Sequence, residues 1–379
     1  MTNARTLDED DLYRTSSQYR LWSFTQDSLL ALRANTHALA VERAHTYLEL
    51  PPDGADSEGA APGGINGATV TPTNGAHTRV LTAEEELKLV LKSCTQITAT
   101  CDRWEYPTNV REIYKCVLFL ALKTEGTHIP LSHYAHQINT EAEKILAPEY
   151  KIIQALRFTL DVKQPYRALK GGLMELLNMS QGIFAIPGNE TTPQQLHAEM
   201  LALPPPTARC RSQWKPSSGP QNATTMSDRV KLAYDAAKTV LNAAALLTDV
   251  YFLYTPSQIF HASLRLADEP LSSFYLCTKI AESSPIRTKA LTAVHACADA
   301  LASFSHAAII SKEERVRLEE RLEWCRDPST VNMVRANAVA RRNGQEEGIL
   351  GDGVARRRKL EREASLREGE ELFGPGLVK

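Results

Sequence analysis

Residues 254–267 have the sequence YTPSQIFHASLRLA, and they carry the signals of a buried helix. Thr255 is a typical N-cap residue, Pro256 suits the first helical position, and Gln258 stands three residues after the cap. Apolar or small side chains follow at the positions that a central, buried helix needs. The stretch therefore predicts a helix at the middle of a helical domain.

An internal repeat extends this prediction to a second domain. Residues 113–121, IYKCVLFLA, can be laid on residues 259–267, IFHASLRLA, without a gap, and apolar or small residues coincide at the core positions. The repeat predicts two copies of one helical domain, each with this helix at its centre.

Helix start signals recur along the chain. Thr25 can cap a helix that begins at Gln26, residues 82–85 (TAEE) form a capping box, and residues 311–314 (SKEE) form another. The longest periodic stretch covers about residues 227–251 and predicts one long helix. No alternation of period two extends over the length of a strand, so the predicted fold class is all-α.

Three of these helices carry an apolar stripe at helical spacing. Such helices usually pack on their own domain, and binding to a partner is the alternative for the two outermost ones. The stripes consist of Leu29, Leu32 and Thr36 in the first helix, of Leu87, Val90, Leu91, Cys94, Ile97 and Cys101 in the second, and of Leu318, Leu322 and Cys325 in the last.

Four segments have compositions that oppose folding, and the first is residues 1–12, which are polar or highly charged. Residues 51–79 are rich in Gly, Pro, Ala and Thr and contain almost no large apolar side chains, so we predict a disordered insert. Residues 181–225 contain LPPPT and PSSGPQNATT and predict mostly a loop. Residues 343–379 are predicted to form a charged, disordered tail.

The whole-chain totals narrow the function classes. Of the 379 residues, 43% are hydrophobic and 23% are charged, as in soluble globular proteins. The formal net charge of −2 argues against a protein that binds nucleic acid through a basic surface. The N-terminus has no apolar run typical of a secretory signal, and the longest apolar run, residues 116–122, is too short to span a membrane. We therefore expect an intracellular protein.

The sequence carries no common catalytic or metal-binding motif. It lacks the GxGxxG, GxxxxGK[ST], GxSxG and HExxH patterns and the HRD and DFG triplets of kinases. His133 and His136 have a metal-ligand spacing without a third ligand nearby, and the seven cysteines include no CxxC pair. We predict no catalytic residues, no metal and no cofactor.

Several segments together resemble the cyclin H family. The YTPSQI and SSQ…WSF segments narrow the resemblance to cyclin H, whereas the other segments are general to cyclins. In the order of that family, they are residues 13–18 (YRTSSQ) and 22–24 (WSF) before an extra N-terminal helix, residues 120–125 (LALKTE) at the end of the third helix of a first cyclin box, residues 145–158 for its fifth helix, residues 165–167 (PYR) at the start of a second box, and residues 254–259 (YTPSQI) at the third helix of that box.

The resemblance implies two tandem cyclin-box helical domains with extra N- and C-terminal helices. We expect this organisation: 1–24, N-terminal segment; 25–50, N-terminal helix; 51–79, disordered insert; 80–162, shortened first cyclin box; 163–308, second cyclin box with the loop insert 181–225; 309–342, C-terminal helices; 343–379, charged disordered tail.

The first box departs from the family pattern. A cyclin box has five helices, and only Thr-Asn-Val-Arg stands between Pro107 and Glu112, where the family places its second helix. We expect the first box to lack that helix. Several apolar side chains would then lose burial, each at a cost of about 1.5–3 kcal/mol.

Lys123 and Glu149 are the candidate site residues. Taken alone, they are ordinary charged residues on helices, which are usually solvated. By resemblance, they match the Lys and Glu with which cyclins hold the mobile regulatory helix of a kinase. The resemblance therefore implies a kinase interface at Lys123 and Glu149.

The resemblance also implies function and partners. It implies a nuclear, non-catalytic regulatory subunit that binds and activates a cyclin-dependent kinase, the CDK-activating kinase. Within transcription factor IIH, that kinase phosphorylates the C-terminal repeats of RNA polymerase II. The implied partners are the kinase catalytic subunit, a RING-finger assembly subunit and the core of transcription factor IIH, without direct contact to nucleic acid or membrane.

Three other functions stay open at this point. The chain could be another transcription cyclin with a different kinase, a nucleic-acid-binding factor with a cyclin fold, or an enzyme. The YTPSQI and SSQ segments argue against the first alternative, the net charge against the second and the missing motifs against the third.

Overall fold

The computed structural model describes a set of helices connected by turns. The described residues are 13–49, 80–103, 112–186, 191–207, 210–212, 214–215, 221–280, 283–304, 310–324 and 334. Several predictions lie outside them, including the disordered insert 51–79, the tail 343–379, residues 1–12 and the junction between Pro107 and Glu112.

Every regular element in the described ranges is a helix, which confirms the all-α prediction. The helices are α1 (Ser17–Trp22), α2 (Gln26–Glu49), α3 (Ala83–Arg103), α4 (Glu112–Thr124), α5 (Leu131–Gln137), α6 (Ala142–Leu146), α7 (Glu149–Ala155), α8 (Tyr166–Ser180), α9 (Pro193–Leu201), α10 (Ala223–Asn242), α11 (Val250–Leu253), α12 (Pro256–Ala267), α13 (Glu269–Lys279), α14 (Arg287–Ala302) and α15 (Lys312–Trp324).

The helices belong to two compact units. The unit we call the second bundle consists of residues 161–306 together with the N-terminal segment up to Thr25. The unit we call the first bundle consists of residues 26–160 together with the chain from Ala307 onward. Each unit therefore combines segments that are far apart in the sequence.

The predicted helix starts are found in the structure. The side chain of Thr255 accepts a hydrogen bond from the Gln258 amide, and the Gln258 side chain accepts one from the Thr255 amide, as in a capping box. Thr82 and Glu85 form the same reciprocal pair at the start of α3. These side chains satisfy amide groups that the first helical turn leaves without a partner.

Helix α12 is the centre of the second bundle. It packs against α8, α10, α13 and α14, and its side chains are buried on nearly every side. Gly172 of α8 permits a close approach, because a Cβ atom at this position would lie 2.7 Å from Cζ of Phe260. The buried apolar side chains of this bundle include Leu176, Met226, Val230, Ala237, Ile259, Leu264, Leu271 and Leu301.

A fully buried ion pair fastens α10 to the junction of α12 and α13. Nε and Nη2 of Arg229 donate to the two carboxylate oxygens of Asp268, at 2.7 and 2.9 Å. Nη2 also donates to the carbonyl oxygen of Pro204, and the guanidinium lies 4.9 Å from the ring centre of Trp214. Asp268 in turn accepts from the amide of Leu271 and so caps α13. The pair thereby links three helices and the Pro-rich segment.

The first bundle has two small apolar clusters. Helix α4 packs on α6 and α7 and contributes Phe119 to a cluster with Tyr134 and Ile145. Helix α3 packs on α15, where Leu89 and Leu318 are buried together. Of the predicted stripe on α15, Leu318 and Leu322 therefore face this cluster, whereas Cys325 lies outside the described residues.

Several apolar side chains of the predicted first box are exposed. Only residues 104–111 separate α3 from α4, and they lie outside the described residues. Val90 on the predicted apolar stripe of α3 is exposed, and Leu87 is exposed as well. Ile113 of α4 is 46% exposed, whereas Ile259, which occupies the matching position of the repeat, is fully buried.

Two predictions about the second bundle are wrong in part. The predicted helix over 227–251 ends at Asn242, because Ala243 leaves helical geometry and the chain turns before α11. The run of alanines and leucines at 243–247 contains no Gly or Pro, so the sequence pattern gave no stop signal. The predicted loop 181–225 contains α9, which starts with a Thr192–Gln195 capping box and buries Leu196 and Met200.

Replacing one partner of the buried ion pair should destabilise the second bundle. Asp268→Asn preserves the shape of the side chain but leaves the Arg229 guanidinium without a counter-charge in a dry environment. We expect a loss of about 3–5 kcal/mol in the free energy of unfolding, measured by urea denaturation. Glu269→Gln, which breaks the half-exposed pair with Arg265, is the control and should cost about 1 kcal/mol or less. Equal losses for the two variants would contradict this account.

Acid should weaken the second bundle through His261. Burial, together with the smaller effect of the nearby Lys279 ammonium, lowers the pKa of His261 to about 4. Between about pH 4 and 6.5, His261 is therefore protonated in the unfolded chain and neutral in the folded chain. The contribution of His261 to the free energy of unfolding is fully present above about pH 6.5 and is lost as the pH falls toward 4. We expect His261 to account for about 3 kcal/mol of this decline.

The measurement is the pH dependence of the unfolding free energy. His261→Asn should flatten the curve between about pH 4 and 6.5, whereas His295→Asn, on the exposed side of α14, should leave it unchanged. A slope that persists in His261→Asn would assign the acid sensitivity to another group.

Candidate functional site

The two candidate site residues meet on the surface of the first bundle. Lys123 Nζ donates a hydrogen bond to Glu149 Oε1, so the ammonium and the carboxylate form an ion pair. The Lys123 side chain is 42% exposed and the Glu149 side chain 18%. The structure therefore brings together two residues that are 26 positions apart in the sequence.

Helix ends place both charges. Lys123 lies in the last turn of α4, where a cation interacts favourably with the helix dipole. The chain leaves the helix at Gly126, whose φ of +73° suits glycine, and the Thr127 amide donates to the Leu122 carbonyl at 2.9 Å. Glu149 lies in the first turn of α7, where an anion is favoured for the same reason.

Two aromatic side chains pack next to the ion pair on its Lys123 side. The Lys123 ammonium lies 5.0 Å from the ring centre of Phe119, which is one turn earlier on α4. The ring centre of Phe119 is in turn 5.0 Å from that of Tyr134 on α5. Sequence reasoning missed both aromatic residues as parts of the site, although the spacing of Phe119 and Lys123 on one helix face was a usable signal.

Cys116 lies on the same face of α4 and does not supply a nucleophile. Burial raises the pKa of the Cys116 thiol to about 11, and the Glu149 carboxylate adds to this effect while the Lys123 ammonium opposes it. Since a thiolate is the reactive form of cysteine, this thiol is protonated and inert at neutral pH. Its small side chain instead packs in the interior of the bundle.

Two exposed aromatic residues belong to the same segment of chain. Tyr150 follows Glu149 directly and is 65% exposed, and Phe158 is 63% exposed just after α7. Arg157 and Phe158 both have positive φ, at 51° and 57°, which is unusual for large side chains. The Phe158 amide donates to the Ile153 carbonyl at 3.0 Å and so holds this turn. Exposed aromatic side chains of this kind are enriched at protein interfaces.

The N-terminal signature residues have a defined role within the second bundle. Gln18 is buried, and its side-chain oxygen accepts a hydrogen bond from the Lys163 amide at 2.7 Å. The Phe24 amide donates to the Phe252 carbonyl at 2.8 Å, and the rings of Trp22 and Phe24 both contact the Phe252 ring. The SSQ…WSF segment is thus held by a hydrogen bond to Lys163 and by contacts with Phe252 of α11.

The described part of the chain shows neither a metal-binding cluster nor a helix that could cross a membrane. No group of three or more His, Cys, Asp or Glu side chains there is arranged to hold a metal ion. His133 and Gln137 instead form a hydrogen bond with each other on α5. None of the described helices combines the length and the apolar character that a membrane crossing requires.

Comparisons with known proteins support the helical fold. The family model of the cyclin C-terminal domain matches residues 164–302, which covers the helices around α12. A chain in the structure of the CAK complex of Chaetomium thermophilum bound to ATP-gamma-S superposes with a TM-score of 0.63 at 26% sequence identity. That match covers 91% of this chain and 98% of the other. Residues 164–302 are therefore similar to the cyclin C-terminal domain, and the helical fold of the chain is similar to that of a chain in the CAK complex.

Two yeast cyclins are similar to this chain in sequence. Cyclin CCL1 of Saccharomyces cerevisiae is 27% identical over 302 residues, which cover 73% of this chain and 63% of the relative. Cyclin mcs2 of Schizosaccharomyces pombe is 27% identical over 192 residues, covering 44% of this chain and 54% of the relative. The chain spans less than two thirds of the length of either curated relative.

Removing the Gln18 side chain should loosen the N-terminal segment. Gln18→Ala removes the acceptor of the Lys163 amide, and the loss of such a part-buried hydrogen bond typically costs about 0.5–1.5 kcal/mol. We expect that loss in the unfolding free energy, together with faster hydrogen exchange of the Lys163 amide. Gln26→Ala, at the exposed start of α2, is the control and should leave both quantities nearly unchanged. Unchanged exchange at Lys163 in Gln18→Ala would show that this hydrogen bond does not hold the segment.

Proposed function

We propose that this chain is a regulatory cyclin that binds and activates a cyclin-dependent kinase. The observation that carries the proposal is the Lys123–Glu149 pair at the meeting point of α4 and α7. Support comes from the match to a chain of the CAK complex, which covers nearly the whole length of both chains. A kinase with the role of the CDK-activating kinase is therefore the proposed partner.

The Lys123–Glu149 pair can act by orienting a partner helix. Lys123 retains two ammonium protons beyond the one that it donates to Glu149, and the carboxylate retains further acceptor positions. Charge-assisted hydrogen bonds from such groups to a partner's backbone and side chains fix the orientation of the partner. The exposed rings of Tyr150 and Phe158 belong to the same segment and add apolar contact area.

Activation follows from binding one conformation of the kinase better than the other. A protein kinase needs the ion pair between its β3 lysine and the glutamate of its regulatory helix to be in place. A cyclin that binds only the inward position of this helix shifts the population toward the active state. Moving the equilibrium from 1:99 to 99:1 takes about 5.5 kcal/mol of differential binding. The cyclin supplies this binding energy and no catalytic group.

The wider assembly is part of the proposal. We place the chain in the nucleus, with the kinase acting on the C-terminal repeats of RNA polymerase II as part of transcription factor IIH. A RING-finger assembly subunit and the core of that factor are the further proposed partners. The formal net charge of −2 supports recruitment through proteins rather than through direct binding to nucleic acid.

The test is co-purification with candidate cyclin-dependent kinases, followed by a phosphorylation assay. Lys123→Ala combined with Glu149→Ala should weaken the complex with the correct kinase by about 2–5 kcal/mol, and kinase activity should fall with it at limiting cyclin. The reason is that both oriented polar contacts to the regulatory helix are lost.

The matched control is Glu141→Ala combined with Lys144→Ala. These residues form another exposed ion pair in the same bundle, so their removal changes the same charges at a different place. We expect it to leave the complex intact. Complex formation and activity that withstand the Lys123 and Glu149 changes would refute the proposed interface, and a chain that binds none of the kinases would refute the function.

A further inference from the structure

We infer that Phe119 and Tyr134 are positioning residues that hold the Lys123 ammonium in the place where a partner meets it. The inference rests on the proposed function of Lys123. It gives a role to two residues of the bundle interior. Both are buried, so they would act on a partner only through Lys123. We call the stack of Tyr134, Phe119 and Lys123 the aromatic column.

The aromatic column begins at a fully buried ring. Tyr134 has no exposed surface, and its hydroxyl donates to the Lys115 carbonyl oxygen at 2.8 Å. Because Lys115 belongs to α4, this hydrogen bond ties the ring of α5 directly to the helix that carries Lys123. The position of the Tyr134 ring is thus fixed at both ends, by its own helix and by α4.

The middle of the column is the ring of Phe119. Its centre lies 5.0 Å from that of Tyr134, with 33° between the ring planes, and the residue is 6% exposed. The Lys123 Nζ also contacts this ring and lies 5.0 Å from its centre. A cation above an aromatic face is attracted by the negative charge density of the ring.

The column matters because lysine is a flexible side chain. An exposed lysine loses rotational freedom when it enters an interface, and this loss weakens binding. The contact with the Phe119 ring and the ion pair with Glu149 restrict the Lys123 side chain before any partner binds. The ammonium is then preorganised, so part of the entropy loss precedes binding.

A double-mutant cycle separates positioning from mere packing. Phe119→Leu keeps an apolar side chain but removes the ring, and Lys123→Met removes the charge at similar length. In complexes of the full chain with its kinase, Phe119→Leu should weaken binding by about two- to fivefold when Lys123 is present. It should have no further effect in the Lys123→Met background. An equal loss in both backgrounds would overturn the inference, since a packing defect does not depend on the charge.

Two further variants serve as rescue and control. Phe119→Tyr retains an aromatic face and should restore binding toward the original affinity. Ile138→Val removes one methyl group from the same buried cluster but keeps both aromatic rings and Lys123, and it should leave binding unchanged. A kinase affinity that drops equally in Phe119→Tyr and Phe119→Leu would also count against the column.

A spectroscopic test works without the kinase, so it separates failure of this inference from failure of the proposed function. Reductive methylation with ¹³C-formaldehyde labels lysine side chains and preserves their charge, and Lys123→Arg identifies the Lys123 signal. The Phe119 ring should shift this signal upfield, and Phe119→Leu should abolish the shift while Ile138→Val keeps it. A Lys123 signal at the position of a free lysine refutes the column, whereas a shifted signal combined with unaltered kinase binding in Lys123→Met refutes only the interface.

Discussion

The structure depends on covering the central helix of each bundle with apolar partners. Helix α12 is covered by four neighbouring helices and buries side chains on nearly every side. Helix α4 is covered mainly by α6 and α7, so Ile113 at one end stays exposed while Phe119 is buried. The covered side of α4 is the one that supports Lys123 and Glu149. The exposed end of α4 therefore lies away from the candidate site, and the apolar cluster beneath that site is buried.

Two ion pairs of this chain differ in burial, and burial determines whether each pair suits a structural role or a role in recognition. Arg229 and Asp268 are both completely buried, form two hydrogen bonds with each other and share further bonds with the backbone. Their desolvation is balanced only by this exact set of partners, which suits a permanent structural connection. Lys123 and Glu149 keep contact with water, so a partner can rearrange their hydrogen bonds at little cost. The exposed pair is therefore the one suited to recognition.

The sequence allowed good prediction of features that depend on a few neighbouring residues. The capping boxes at Thr82 and Thr255 were predicted correctly, because the partners of a cap lie within one helical turn. The cyclin fold and the pairing of Lys123 with Glu149 depended on the family resemblance, since periodicity alone does not bring two distant helix ends together. The burial of Arg229 was not predictable from its helix, because its partners Asp268 and Pro204 come from other segments. Helix α9 was missed because the surrounding Gly, Pro and Ser residues dominated the composition of its segment.

The order of segments within each bundle affects how the chain is made. Gln18 bonds to a residue 145 positions later, and Arg321 of α15 bonds to Glu85, 236 positions earlier. At synthesis rates of about 5–20 residues per second, each early segment waits several seconds or more for its partner to leave the ribosome. During that interval the buried Gln18 side chain and the Leu89 surface of α3 remain open to solvent and to chaperones. Neither an N-terminal nor a C-terminal fragment contains one whole bundle, so cutting this polypeptide at the middle would yield two incomplete halves.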